Sequence, residues 1–338
     1  MAPFTRLGSA RRFAEAALLE RPRLLGVGWA VTERCNSRCP FCSRHGGPDG
    51  PPNEVALDVI DQLADVGCRR VHFTGGEPLL RMDLPELLAR VRERRMTSSV
   101  NTNGALLADC PEVIARADAF LVSVDGPEAI HDRYRGAGSF ARLVRGLELL
   151  VRERRPRVLS VTLFRENLDQ MPFFLALSRR FDARIALQPG ASHVLGAERP
   201  NPERPDVERY RAAVAAVLDD PRAMSRMWSS REGLRELMRW PEQHRLRTHA
   251  GRITARLEID GRLFPCSRSV HDPSAQPAPN VFELGVREAF RRLPRIDCSG
   301  HVCQCAHNVE KNLLYGLSPG PWWTFATRRL GELGRMLG

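Results

Sequence analysis

The chain has 338 residues, of which 43% are hydrophobic and 27% charged, as in an ordinary soluble globular protein. This composition excludes disorder, collagen and coiled coil as the main architecture, and no apolar run approaches the roughly 20 residues that span a bilayer. The net charge of +11 is also seen in nucleic-acid-binding proteins, but many arginines fall at the ends of predicted helices, where they complement the helix dipole. Charged residues interrupt the N-terminal segment, so we expect no secretory signal and a cytoplasmic protein.

Predicted strands and helices alternate between residues 25 and 190. The strands are 25–32, 70–75, 98–102, 119–125, 158–164 and 184–188, and the helices are 57–67, 84–95, 110–117, 139–154 and 170–181. Six strand–helix repeats predict an α/β fold with parallel strands and right-handed crossovers, in a sheet that stays open or curls into a barrel. Both arrangements place the functional loops at the carboxyl ends of the strands.

The pattern changes after residue 190 and again near residue 252. We predict five segments: an N-terminal helical extension (1–24), the strand–helix domain (25–190), a helical linker (191–251), a small, loop-rich, metal-stabilised domain (252–315) and an amphipathic tail (316–338). In the fourth segment, the Asp260-Gly261 pair between two apolar runs predicts a β-hairpin.

Seven of the nine cysteines fall in two groups, as thiolate ligands of a metal do. The first group, Cys35, Cys39 and Cys42, directly follows the first strand. Three thiolates on a short loop can hold three irons of a [4Fe–4S] cube and leave the fourth iron open to a cofactor. The alternative is a zinc site completed by His45. The two isolated cysteines, Cys68 and Cys110, are predicted to be buried in the core.

Three further motifs follow strands of the same domain. They are GGEP at 75–78, VSVDG at 122–126 and HDRYRGAGSF at 131–140. With the cysteine spacing, they resemble the radical S-adenosylmethionine (SAM) superfamily, and the last motif resembles its SPASM and twitch subgroup. The resemblance implies a partial (β/α)6 TIM-like barrel with a small C-terminal iron–sulfur domain of the twitch or SPASM type.

The resemblance also implies roles for individual residues. Cys35, Cys39 and Cys42 would hold the SAM-binding [4Fe–4S] cluster. The residues implied in SAM binding are Phe41, Gly75, Gly76, Glu77, Pro78, Asn101, Asn103, Ser123, Asp125, Arg135 and Leu187. Among them, Arg135 is expected to meet the SAM carboxylate beside Ser123, since a guanidinium binds a carboxylate with two hydrogen bonds. Asn101 and Asn103 can equally be turn formers, and no residue stands out as a catalytic acid or base.

The second cysteine group consists of Cys266, Cys298, Cys303 and Cys305. It resembles the ligand set of a twitch or shortened SPASM domain, which implies a second, auxiliary Fe–S cluster. A structural zinc is the alternative. The spacing of Cys303 and Cys305 is tight, so one thiol of this group can also be unligated and return a hydrogen atom to the substrate.

The chemistry implied by the resemblance is reductive cleavage of SAM to a 5′-deoxyadenosyl radical, which abstracts a hydrogen atom from the substrate. A flavodoxin or ferredoxin would donate the electron. The stretch before the first strand is too short for a fused leader-recognition domain, so we predict oxidation or epimerisation of a small molecule, a natural product of the sugar or aminocyclitol type. The alternatives are maturation of a ribosomal peptide, modification of a lipid or lipid-linked substrate with membrane-surface contact by the chain ends, and a zinc-stabilised nucleic-acid-binding protein.

Overall fold

Alternating apolar residues build six consecutive strands in the computed structural model. It describes residues 22–195, 197, 199–242, 246–267, 269–271, 275–294, 305–316, 318–320 and 323. The strands are β1 (Gly26–Thr32), β2 (Arg70–Gly75), β3 (Thr97–Thr102), β4 (Ala119–Ser123), β5 (Arg157–Leu163) and β6 (Arg184–Pro189). A helical stretch follows each strand. The bounds of the six strands differ from the predicted strand bounds by no more than two residues.

The helices between these strands carry apolar faces that cover the sheet. They are α1 (Asn53–Asp65), α2 (Leu84–Glu93), α3 (Pro111–Arg116), α4 (Glu128–Arg135), α5 (Ser139–Arg152) and α6 (Met171–Arg180). After β6 come α7 (Val207–Asp219), α8 (Pro221–Arg226) and α9 (Arg231–Met238), then β7 (Thr254–Leu257), β8 (Leu263–Phe264), α10 (Val281–Arg291) and α11 (Ala306–Tyr315). No helix among the described residues is long and apolar enough to cross a membrane.

The strands form one sheet in the order β6-β5-β4-β3-β2-β1-β7-β8. All neighbours from β6 to β7 are parallel, and β8 is antiparallel to β7. The predicted α/β class with a mainly parallel, partial-barrel sheet is therefore confirmed. The hairpin that the Asp260-Gly261 pair predicts is present, and its first strand pairs with β1, so it extends the barrel sheet directly.

Two helices lie within the predicted C-terminal segment, residues 252–315. They are α10, with 11 residues, and α11, with 10 residues. Helix α11 is amphipathic, since Ala306, Val309 and Leu313 are buried on one face.

The two faces of the strands differ in chemistry. On β1, Val27 and Trp29 are fully buried against the helices, whereas Gly28 between them faces the barrel lumen. The same alternation leaves His72 on β2 and Arg256 on β7 facing the lumen. The lumen is therefore lined by polar groups.

Helix α11 lies across the open side of the barrel, between β6 and β7. His307 stacks on Trp228 with ring centroids 4.3 Å apart, and Trp228 N donates to Ile185 O of β6 (2.7 Å). At the other end, Asn312 Oδ1 accepts a hydrogen bond from His249 N (3.0 Å), close to β7. This helix therefore contributes side chains to the lumen.

Candidate active site

The first cysteine group lies on the loop after β1, at the carboxyl end of the parallel strands. Ser37 N donates to Cys35 Sγ (3.5 Å), and Arg44 N donates to Cys42 Sγ (3.4 Å). Cys42 N donates to Cys39 O (3.0 Å), which curls the loop. Backbone N–H groups directed at sulfur stabilise a thiolate, the form that binds iron.

The three thiols lie close enough to influence one another's ionisation. Burial is the main cause that raises the pKa of Cys39 to about 12; Cys35 and Cys42 contribute to the rise, and Arg135 opposes it. The pKa values of Cys35 and Cys42 are also raised, again mainly by burial. Three such thiols ionise together only when a cationic centre binds them, which an iron–sulfur core provides.

This donor set fits a [4Fe–4S] cube, in which each thiolate binds a different iron. Within the ranges that the structure describes, no group of three or more His, Cys, Asp or Glu side chains is arranged around a single metal ion. The zinc alternative with His45 requires such an arrangement, because zinc takes its four ligands at one centre.

The glycines of the GGEP motif allow this turn to lie against the cysteine loop. Gly75 has a φ of +131°, and a Cβ there would clash with Thr32 O, as a Cβ on Gly76 would with Arg34 O. Gly76 N donates to Thr32 O (2.7 Å) and Glu77 N donates to Arg34 O (2.8 Å). Any side chain at either glycine would push the cysteine loop away.

The fully buried carboxylate of Glu77 links the ends of β2 and β3 by hydrogen bonds. Its carboxylate accepts hydrogen bonds from Leu79 N (3.1 Å), Thr102 Oγ1 (2.8 Å) and Asn103 N (2.8 Å). Burial raises the pKa of this carboxyl, and the three donors oppose that shift. Both oxygens are thus engaged by the protein. Pro78 begins the short 3₁₀ turn that supplies the Leu79 donor.

The two asparagines after Glu77 differ in their contacts. Asn103 Nδ2 donates to Asn36 Oδ1 on the cysteine loop (2.7 Å), and its Oδ1 accepts from Ala105 N (2.9 Å). Asn103 therefore fulfils the turn-forming alternative and also contacts the loop. Asn101 is half-buried on β3.

A buried ion pair lies next to the thiols. Arg135 donates to both oxygens of Asp125, from Nε to Oδ2 and from Nη2 to Oδ1 (3.1 Å). Burial lowers the pKa of Arg135, but Asp125 and the neighbouring thiols outweigh it, so the pKa is raised overall. The structure thus brings together two of the residues assigned to SAM binding, and Ser123 lies two residues before Asp125.

The rest of the HDRYRGAGSF motif supports this pair. Burial lowers the pKa of His131 to about 4, so this histidine is neutral at pH 7, with Nδ1 3.6 Å from Asp125 Oδ2. Asp132 instead holds the start of α5, accepting hydrogen bonds from Gly138 N (2.6 Å) and Phe140 N (2.7 Å). The motif therefore combines an ion-pair partner with a helix cap.

Phe41 belongs to an aromatic cluster beside the cysteines. Its ring stacks on Phe164, with centroids 4.2 Å apart, and meets the edge of Tyr134 at 5.5 Å. Leu195 N donates to Phe41 O (2.9 Å), which ties the segment after β6 to the cysteine loop. Leu187, one of the residues implied in SAM binding, lies on β6 with its side chain buried in the core.

An ionic network absent from the sequence predictions joins the cysteine loop to β7. Glu258 accepts hydrogen bonds from Arg44 Nη1 (2.8 Å) and Arg256 Nε (2.7 Å) and is 4% exposed. Burial raises the pKa of Glu258, but Arg256 and Arg44 outweigh it and the pKa is lowered. The only sequence signal for this network is that Arg44 closely follows Cys42. Arg256 and Glu258 come near Arg44 only because β7 pairs with β1.

Of the second cysteine group, the structure describes Cys266 and Cys305; Cys298 and Cys303 lie outside the described residues. Cys266 lines a small cavity of about 30 Å³ with Asn308 and Lys311 of α11, and Cys305 immediately precedes that helix. The two described thiols therefore lie near the same helix. Of the isolated cysteines, Cys68 is buried as predicted. The prediction for Cys110 is wrong, because that residue is only partly buried against the core.

The model of the radical SAM superfamily matches residues 29–177. This range contains the cysteine loop, the Gly75–Pro78 turn and the Asp125–Arg135 pair. Residues 29–177 therefore match the radical SAM superfamily, and this match implies a [4Fe–4S] cluster and SAM.

Several curated proteins are similar in sequence. The chain is 27% identical over 308 residues to the mycofactocin maturase MftC of Mycolicibacterium smegmatis, which covers 82% of this chain and 74% of that protein. It is 30% identical over 169 residues to the PqqA peptide cyclase of Granulibacter bethesdensis (47% and 45%). It is 32% identical over 168 residues to the AdoMet-dependent heme synthase of Nitratidesulfovibrio vulgaris (46% and 45%). The chain thus spans about half the length of the last two relatives.

Solved structures share the fold at low sequence identity. Streptococcus suis SuiB bound to S-adenosylmethionine has a TM-score of 0.66 at 16% identity, covering 84% of this chain and 70% of that chain. Native anSMEcpe with bound AdoMet has a TM-score of 0.63 at 18% identity, covering 79% and 80%. The similarity extends beyond residue 177, since both matches cover more of this chain than the family model does.

Proposed function

We propose that this enzyme modifies a ribosomally made peptide by abstracting a hydrogen atom with a 5′-deoxyadenosyl radical, and that it belongs to the SPASM and twitch subgroup. The observation that carries this proposal is the similarity to a PqqA peptide cyclase at 30% identity. It is supported by the similarity to a maturase over 82% of this chain. The proposal adopts the peptide alternative in place of the sugar or aminocyclitol substrate, for which none of the relatives described above is named.

The residues at the mouth of the barrel would have separate roles in binding the cluster and SAM. Cys35, Cys39 and Cys42 would hold the cluster, which, when bound and reduced, supplies the electron that cleaves SAM. Arg135, oriented by two hydrogen bonds to Asp125, would bind the SAM carboxylate beside Ser123. The remaining assigned residues, Phe41, Gly75, Gly76, Glu77, Pro78, Asn101, Asn103 and Leu187, would shape and brace the SAM pocket.

An auxiliary cluster is the second part of the proposal. Cys266 and Cys305 lie near the same helix, and Cys298 and Cys303 would supply the remaining thiolates of a four-thiolate site. Such a cluster near the lumen would accept an electron from a substrate radical, which leads to net oxidation. A flavodoxin or ferredoxin would reduce the first cluster.

A second candidate is a tetrapyrrole substrate. It is favoured by the 32% identity to an AdoMet-dependent heme synthase and by 31% identity over 207 residues to the Fe-coproporphyrin III synthase of Methanosarcina barkeri, which covers 59% of this chain. The nucleic-acid-binding alternative is not adopted, because residues 29–177 match the radical SAM superfamily. The lipid alternative stays a prediction, because most of the tail 316–338 lies outside the described residues.

The test is transfer of deuterium from the substrate to 5′-deoxyadenosine. The reconstituted, dithionite-reduced enzyme is given SAM and perdeuterated peptides encoded beside its gene, or, in a second arm, perdeuterated Fe-coproporphyrin. We expect deuterium in 5′-deoxyadenosine with a peptide, and none with a Cys35→Ala variant. Deuterium transfer with the porphyrin alone would overturn the peptide proposal and support the second candidate.

A further inference from the structure

The lumen faces of four adjacent strands meet at the level of Gly28. In the parallel register, Gly28 on β1 lies opposite His72 on β2 and opposite Arg256 on β7. Ser99 on β3 lies opposite His72, and its hydroxyl is 2.9 Å from His72 Nδ1. Four lumen-facing residues thus form one row across the sheet, below the cysteine loop.

Gly28 leaves an open space in the middle of this row. Apart from Gly28 itself and its two chain neighbours, no heavy atom lies within 4 Å of the position that a Cβ would take there. Two residues earlier on the same face, a Cβ at Gly26 would already touch Arg70 O at 3.7 Å and Thr254 Cγ2 at 3.8 Å. The space is therefore local to Gly28, and it lies between the side chains of His72 and Arg256.

Charged side chains surround this space. Arg256 and Arg44 share one carboxylate, Glu258, at 2.7 and 2.8 Å, and Glu33 is 3.7 Å from Arg44 on the far side. Helix α11 brings His307 and Lys311, the only lysine of the chain, within electrostatic reach of His72.

Burial governs the ionisation of the two residues beside the space. The pKa of Arg256 is lowered because burial outweighs the attraction of Glu258. The pKa of His72 is lowered well below its usual value, first by burial and then by the surrounding cations, so its imidazole is neutral at pH 7. A carboxylate placed between the two would be attracted to the guanidinium of Arg256 and would accept a hydrogen bond from the neutral imidazole.

We propose that the open space over Gly28 binds a carboxylate of the substrate, which Arg256 and the His72–Ser99 pair receive. This inference rests on the proposed function: a peptide would insert either an acidic side chain or its C-terminal carboxylate into the lumen. The guanidinium of Arg256 suits a planar carboxylate, with which it can form two parallel hydrogen bonds. The row lies four residues below the end of β1, roughly 13 Å along the strand, so the bound group would anchor the substrate below the reacting atoms.

The experiment measures binding without turnover, by saturation-transfer NMR on the reconstituted, SAM-loaded enzyme. N-acetyl-glutamate α-amide presents a side-chain carboxylate, N-acetyl-glycylglycine presents a C-terminal carboxylate, and N-acetyl-glutamine amide is the neutral control. Gly28→Val fills the space without removing a charged group, and Arg256→Gln removes the guanidinium. Gly26→Ala is the matched control, on the same strand and the same face.

We expect at least one carboxylate probe to bind, and the one that does so identifies the source of the carboxylate. Gly28→Val and Arg256→Gln should each weaken the affinity for that probe by about tenfold or more, whereas Gly26→Ala should leave the affinity unchanged. Equal binding of the neutral amide, or an unchanged affinity in Gly28→Val, would overturn the carboxylate site. Equally tight binding of inorganic phosphate would overturn the assignment to carboxylate. The experiment involves no turnover, so its result is independent of the test of the proposed function. The carboxylate site can be refuted while the peptide proposal holds, and it can be supported while the peptide proves not to be the substrate.

Discussion

Arg135 contacts Asp125 through two nitrogens of its guanidinium, and this geometry predicts the effect of a lysine at the same position. Arg135→Lys keeps the charge but offers a single point donor, so one of the two hydrogen bonds is lost. A hydrogen bond to a charged group contributes about 1.5–3 kcal/mol, so we expect SAM to bind about tenfold or more weakly. Equilibrium dialysis of the anaerobic enzyme measures this. Arg133→Lys on the same helix, where the arginine pairs with Glu166 at the surface, should leave SAM affinity unchanged.

The buried histidine beside this pair predicts a pH dependence of stability. The pKa of His131 is lowered from 6.5 to about 4, so the folded protein binds fewer protons at this site than the unfolded chain does. Its contribution is therefore fully present above pH 6.5 and is lost as the pH falls toward 4. The shift corresponds to about 3 kcal/mol.

His131→Gln should flatten the pH dependence of the unfolding free energy between pH 6.5 and 4, measured by urea denaturation. His45→Gln, at an exposed histidine of the cysteine loop, is the matched control and should follow the wild type. If His131→Gln and the wild type lost stability in parallel over this range, the assignment of the pH dependence to His131 would be refuted.

At the scale of elements, the start of α5 depends on one carboxylate from α4. Asp132 accepts hydrogen bonds from Gly138 N, Ser139 Oγ and Phe140 N, groups that have no partner within the first turn of α5. Asp132→Ala should lower the free energy of unfolding by about 0.5–2 kcal/mol, as the loss of a helix cap does, with Glu128→Ala as an acidic control on the same helix. Chemical denaturation at pH 7 measures both, and equal effects would speak against the capping role.

The strands and most helices of the barrel could be predicted because each has its own period of apolar residues. The short helix α4 could not, since only His131 and Tyr134 are buried along it. The motifs also indicated where the site lies, because parallel strands bring their carboxyl ends to one edge. The sequence could not predict the contacts of Glu77 or the network of Arg44, Glu258 and Arg256. Both depend on which residues the fold brings close together. The spacing of apolar residues does not indicate that β7 pairs with β1, which is the pairing that brings Arg256 beside Gly28.

On the scale of the whole molecule, Glu258 links the cysteine loop to the hairpin that extends the sheet. Glu258→Gln would leave Arg44 and Arg256 close together without a carboxylate, and breaking a buried ion pair in this way costs about 3–5 kcal/mol. The pKa of Glu258 is lowered from 4.5, so its contribution is present above that pH and is lost as the pH falls through the lower folded value. Thermal unfolding at pH 7 should show the loss, whereas Glu288→Gln, at an exposed pair with Arg291, should change little.

The two cysteine groups lie on different parts of the chain, so their metal contents should be separable. Two four-iron sites predict about eight irons per chain after anaerobic reconstitution, with labile sulfide in equal amount. Replacing Cys35, Cys39 and Cys42 together by Ala should leave about four irons and abolish SAM cleavage, because the remaining thiolates belong to the second group. Cys266→Ala should also reduce iron to about four while retaining reductive cleavage of SAM, and Cys68→Ala, at a buried core cysteine, is the control that should retain all the iron. About four irons in the wild type, falling to none in the triple variant and accompanied by zinc, would instead make the second group a structural zinc site and remove the auxiliary cluster from the proposed oxidation.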